Sequence, residues 1–238
     1  MTRRYGVTKA VRQSLLATLL LPGLALAEPV LDLQYSTFYS QMKTFAKGEF
    51  GHARLGFYLT DPQNGQRCGL TFARVATDSK EVAGEVTVDS ELRLPFDEDL
   101  NLDKGIVTVG LKEEHATCDM TVQVMADAPN GPELPLAELP LAELPLAELA
   151  ARQQQMQSLL DKMAGMVGKH FLPKMEGVRI TLVQQSGTAY LIDGARQEAL
   201  PWQEGHLLLS NEQLAAFAAG QLRLQGDVLR LTPWLHKG

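Results

Sequence analysis

Aromatic residues are sparse in this 238-residue sequence, at 6% with two tryptophans, and cysteine occurs only twice. So few thiols exclude a disulfide-dense miniature scaffold. No C-x-x-C pair and no His/Cys cluster at ligand spacing is present, which removes zinc-ribbon and thioredoxin-like chemistry. Long apolar runs are missing too: a spanning helix needs about 20 apolar residues, and the stretch at 15–21 is far shorter. The G-x-S-x-G and H-E-x-x-H signatures and the phosphate-cradling glycine loop do not occur, and this lowers the case for an enzyme. Basic residues fall short of acidic ones, 22 against 28.

What is present begins with a leader. Arg3, Arg4, Lys9 and Arg12 precede the apolar stretch, Pro22 and Gly23 break it, and Ala25-Leu26-Ala27 offers a small-x-small cleavage site before Glu28. Residues 1–27 are therefore expected to be a cleaved signal peptide, and the product an exported one without a membrane span. Cleavage removes four basic residues and no acid, taking the formal charge from −6 to −10. Such a surface repels phosphate backbones, so nucleic acid is not an expected partner. An unknown envelope protein or glycan is. Export also places Cys68 and Cys118 in an oxidising compartment, where an even number of thiols pairs, and a structural disulfide is expected. In CGLTFARV the alternation puts Cys68, Leu70 and Phe72 on one strand face; in CDMTVQVM it does so for Cys118, Met120, Val122 and Val124.

The pattern beyond the leader predicts a mainly β (α+β) protein. A β-sandwich-like first lobe (28–128) and a smaller β-rich second lobe (173–238) would be joined by a proline-containing spacer (129–147) and an amphipathic helix (148–172). The first lobe opens with a strand at 30–34 and a helix from Ser36, its expected cap, with Phe38, Met42 and Phe45 on one side. Short strands separated by turns follow. ELPLA then occurs three times in tandem, from Glu133, Glu138 and Glu143. Proline at every fifth position forbids a regular helix, so an extended spacer with exposed leucines is expected. Leu149, Met156, Leu159, Leu160, Met163, Val167 and Phe171 recur at helical steps. A methionine-rich stripe of this kind packs a core more often than it binds a lipid or partner, and core packing is the expectation. In the second lobe Val178, Ile180 and Leu182 alternate, Ser210 and Gln213 form a capping box, and QLRLQGDVLRLTPWL reads as a hairpin turning near Gly226 and Asp227.

Chemistry-bearing residues are scattered. His52, His115, His170, His206 and His236 share no ligand spacing. The best local constellation is DEDLNLDKG, where Asp97, Asp99, Asn101 and Asp103 offer hard oxygens of the kind calcium takes. An EF-hand fails, because Leu102 stands at the turn-glycine position and Thr108 at that of the bidentate Glu. As a strand, the segment would present the four oxygens on one face with Leu100 and Leu102 inward, a calcium candidate and otherwise a solvated stripe. No cofactor other than that calcium is expected. Tyr35, Tyr39, Trp202 and Trp234 could stack on sugars, but nothing groups them and core packing is expected.

YSTFY at residues 35–39, GFYL at 56–59, Cys68, LPFDEDL at 94–100 and Cys118-Asp119 together resemble an uncharacterised family of exported gammaproteobacterial proteins. The resemblance implies a Gram-negative periplasmic address and a structural cysteine pair, and it carries no catalytic residues. The reading favours a periplasmic, non-enzymatic binding or structural protein. A carboxylate-dependent hydrolase of glycan or peptide and a calcium-stabilised adhesion module are the alternatives. A cleft holding two close, partly buried carboxyls would mark the hydrolase.

Overall fold

A computed structural model describes residues 29–112, 117–126, 142–183, 187–203, 205–226 and 228–236. The expected leader, His115 and the first ELPLA copy lie outside the described residues. Strand β1 (Val30–Gln34) runs straight into helix α1 (Tyr35–Ala46), followed by β2 (Ala53–Thr60), β3 (Leu70–Ala76), β4 (Glu81–Val86) and β5 (Leu92–Arg93). Helix α2 (Glu98–Leu102) precedes β6 (Ile106–Leu111) and β7 (Asp119–Ala126). After β8 (Ala142–Pro145) come helix α3 (Leu146–Gly168) and β9 (Met175–Leu182). The rest comprises β10 (Ala189–Asp193), β11 (Arg196–Ala199), β12 (Trp202–Gln203), β13 (His206–Ser210), helix α4 (Asn211–Ala216), β14 (Gln221–Leu224) and β15 (Val228–Leu235).

The protein is mainly β, as expected. An 11-stranded sheet runs β1-β6-β3-β4-β5-β2-β7-β15-β9-β13-β12, and a four-stranded sheet runs β11-β10-β14-β8. Two apolar clusters fill the interior. The first gathers Tyr35, Phe38 and Tyr39 of α1 with Phe57, Leu70, Val75, Leu92, Leu100, Val107 and Val109. The second gathers α3 with β9, β13, β14 and β15. The large sheet passes through both, because β2, β7 and β15 bridge them.

Cys68 and Cys118 form a disulfide at the first cluster, with their Cα atoms 6.4 Å apart and a sequence separation of 50. The expected alternation in β3 breaks: an irregularity between Leu70 and Ala73 buries Ala73 and Val75 and leaves Phe72 half-buried. Helix α1 starts earlier than its Ser36 signal, with Gln34 at the N-cap and no side-chain cap. Tertiary packing decides this, since Tyr35 is wholly buried and its hydroxyl donates to the Pro95 carbonyl at 2.6 Å.

Three further expectations are corrected. The third ELPLA copy is not spacer: residues 142–145 form β8 on β14, and Leu144 and Leu146 are buried in the second cluster. Pro145 tolerates this placement because it ends an edge strand and lacks only a donor that the helix start would leave unpaired. The QLRL and VLRLTPWL arms do not pair as a hairpin: β14 lies between β10 and β8, and β15 between β7 and β9. Leu222 and Leu224 from one arm and Val228 and Leu231 from the other enter the same core from two sheets. Finally, the α3 stripe stops short. Leu149, Met156 and Leu159 are buried, but Val167 and Phe171 are exposed, because Gly165 at φ 73° breaks the helix before them.

Candidate functional site

On β9 the residues Val178, Ile180 and Leu182 point into the core, so Arg179 and Thr181 between them face the other way. The ladders bring partners beside them: Thr232 opposite Arg179, and Arg230 and His206 opposite Thr181. With Arg67, Gln123 and neighbouring apolar side chains these residues line a cavity of about 340 Å³. Among the described residues no Asp or Glu lines it.

One carboxylate stands behind this cleft. Asp89 sits in the turn between β4 and β5, which is closed by the Thr87 N–H donating to the Glu91 carbonyl at 3.0 Å. Arg67 Nη1 donates to Asp89 Oδ2 at 3.1 Å and Arg230 Nη1 at 3.2 Å, while the Thr87 hydroxyl donates to Oδ1 at 2.6 Å. Burial alone would raise the Asp89 carboxyl, but the Thr87 bond and the two guanidinium charges outweigh it and hold the group below the ordinary 3.8. Arg67 also donates to Gln123 at 2.9 Å and lies 3.6 Å over the Tyr58 ring. Burial, with Asp89 and Glu91 nearby, pushes the Tyr58 hydroxyl above its usual value.

Arg179 is different. Its Nε is buried without a hydrogen-bond partner among the described residues. Buried donors are normally satisfied, and among the described residues Arg152 Nε is the other one that is not, but only Arg179 lines the cleft. The cleft thus holds three guanidinium groups against one carboxylate in a chain of net charge −6.

A second cavity, about 450 Å³, is apolar and lined by Met42, Phe45, Leu55, Phe57, Leu92, Leu94 and Phe96. Its polar edge is Glu91, held bidentately by Arg54. Asp89 and Glu91 are partly buried carboxyls on one turn, the feature set for the hydrolase alternative. A glycosidase pair needs one carboxyl kept protonated, whereas each here is occupied by arginine and Asp89 is held ionised.

The calcium candidates fall elsewhere and take another form. Residues 98–102 are helical, so the expected strand face of Asp97, Asp99, Asn101 and Asp103 is absent. Asp97 is the N-cap, its Oδ1 accepting from the N–H groups of Asp99 and Leu100, and Oδ2 accepts from Lys80 Nζ at 2.6 Å. Leu100 is buried and Leu102 exposed, which a strand could not do to residues two apart on one face. The cap preference of Asp and the drive to bury Leu100 override the alternation. Among the described residues no three His, Cys, Asp or Glu side chains converge as a metal site.

Tyr35 and Tyr39 are core residues, while Trp202 packs partly against the second cluster and donates to the Gly187 carbonyl. Among the described histidines only His206 reaches the cleft, its Nδ1 3.1 Å from the Thr181 hydroxyl. Sequence reasoning missed Arg67, Asp89, Arg179 and Arg230, which lie far apart in the chain. The one local signal was polar Arg179 and Thr181 interleaved with buried residues. It also passed over an S-x-x-K spacing, Ser40 to Lys43. That pair is on the exposed face of α1, where the Ser40 hydroxyl donates to the Thr37 carbonyl and Lys43 lies 3.6 Å from Glu98, so no nucleophile is built.

Fold and site together define a mainly β, disulfide-containing protein with an arginine-lined cleft backed by a single counter-ion. Residues 27–182 match the family described as Protein of unknown function (DUF2987), and the chain belongs to that family. The match includes both cysteines, Arg67, Asp89 and Arg179, and ends before His206 and Arg230. No curated protein and no solved structure matches the chain.

Proposed function

We propose that this is an exported periplasmic protein of non-catalytic type, which holds the phosphate or carboxylate of an envelope glycan or protein between Arg67, Arg179 and Arg230. The observation that carries the reading is the buried Arg179 Nε, without a hydrogen-bond partner among the described residues, in a cleft whose described lining holds no Asp or Glu. Arginine suits the role because its planar fork grips such oxygens at two points. Asp89 then acts as the fixed counter-ion that aims Arg67 and Arg230. Export is supported by the leader-like residues 1–27 and by a disulfide, a bond that persists in oxidising compartments.

The test is calorimetric titration with inorganic phosphate, pyrophosphate and soluble peptidoglycan fragments, whose stems carry carboxylates. Saturable binding of at least one probe is expected. Arg179→Gln should weaken it roughly tenfold, the scale of a lost charge-assisted bond, while leaving the melting temperature unchanged or higher. Absence of saturable binding to all three probes, or equal affinity of the variant, overturns the reading.

A further inference from the structure

The stripe of α3 outruns its own burial. Gly165, at φ 73° and ψ −178°, adopts a backbone conformation that other residues rarely enter, and it turns the chain out of the helix. Met166, Val167 and Phe171 consequently stand 87%, 73% and 82% exposed, as large apolar groups on one short tip. The charge of this stretch of sequence has one sign. Lys169, His170 and Lys174 are exposed there, and no Asp or Glu occurs from Lys162 to Met175. The flanking acids are engaged: Asp161 accepts from Gln157 at 2.9 Å, and Glu176 lies 2.7 Å from His236. In an acidic chain this tip is both apolar and cationic.

We propose that the tip docks on an anionic phospholipid surface. Met166, Val167 and Phe171 enter the interface between headgroups and acyl chains, and Lys169 and Lys174 lie against lipid phosphates. Charge complementarity selects this occupant, since exposed apolar groups interleaved with basic ones are what an interfacial anchor presents to anionic lipid. A second copy of the chain fits less well. A stable dimer buries about 800 Å² per partner, far beyond three side chains, and two cationic tips repel. Among the described residues no helix is long and apolar enough to cross a membrane, so the contact is peripheral. The inference is independent of the arginine cleft.

Co-sedimentation of the purified full chain with vesicles tests it, comparing phosphatidylcholine alone with phosphatidylcholine containing phosphatidylglycerol. Wild type and variants share the apolar stretch at 15–21, so differences between them report the tip. Wild type should partition at least roughly tenfold better onto the anionic vesicles, with the preference fading in high salt. Phe171→Asp with Met166→Asp should lower partitioning roughly tenfold or more, and Lys169→Glu with Lys174→Glu should abolish the lipid preference. All four positions are exposed, and unchanged circular dichroism and melting would confirm that the variants fold. Equal binding to both vesicle types, or variants that bind like wild type, would overturn the proposal. A dimer in light scattering that Phe171→Asp dissociates, without any change in vesicle binding, would overturn it and assign the tip to self-association.

Discussion

Removing the disulfide should be the most costly perturbation of the covalent structure, and its size follows from the chain. Cys68 and Cys118 are separated by 50 residues. On the loop-entropy account, cross-linking a loop of that length removes freedom from the unfolded state equivalent to about 4 kcal/mol at room temperature. Both cysteines are buried at the first cluster, so their replacement by alanine adds a smaller packing loss that a reduced wild-type control separates from the cross-link. Urea unfolding of wild type, reduced wild type and Cys68→Ala/Cys118→Ala, extrapolated to water, measures the difference. At roughly 2–4 °C per kcal/mol for a chain of this size, the midpoint of thermal unfolding should fall by roughly 8–16 °C. The slope against urea should steepen, since an uncross-linked unfolded chain exposes more surface. A loss below about 1 kcal/mol, or two thiols titrating in the native oxidised protein, would refute the reasoning.

Leu146→Ala should lower stability by about 3 kcal/mol in the same urea assay, because Leu146, the first residue of α3, is fully buried in the second cluster. Deleting residues 133–137 should leave stability within a few tenths of a kcal/mol, since the third copy, which supplies most of β8, is kept and the length of a connection enters its closure cost only logarithmically. Asp89 gives a pH signature. Its carboxyl is held below the ordinary 3.8, so its contribution is present above that value and is lost as pH falls through the depressed one. Asp89→Asn should therefore flatten the acid limb of the unfolding free energy plotted against pH. An unchanged acid limb would show that the Arg67 and Arg230 pairs do not stabilise the folded state.

Local signals carried a good part of this protein. The 30–34 strand, the alternation of Val178, Ile180 and Leu182, and the Ser210–Gln213 capping box all occur where the residue pattern places them. Each depends on neighbours a few positions apart, and so the order of residues suffices. The same holds for the disulfide, where two cysteines allow one pairing. Where the pattern misled, a distant contact outweighed a local preference. Tyr35 drew the start of α1 upstream of Ser36 to reach Pro95, and Asp97 capped a helix that alternation alone read as a strand.

The third ELPLA copy shows the same division within five residues. Its proline ruled out a continuous helix by covalent geometry alone, yet whether Leu144 and Leu146 faced water depended on the edge that β14 offered. The cleft belongs wholly to the tertiary level. Arg67, Arg179 and Arg230 come from three distant parts of the chain, and only the ladders joining β7, β15, β9 and β13, with the bridge from Arg67 to Thr60 of β2, bring them round one cavity. Composition determined the sign of the whole molecule's charge. Where that sign reverses is a property of strand register, because charges distant in sequence add their fields only once folding has made them neighbours.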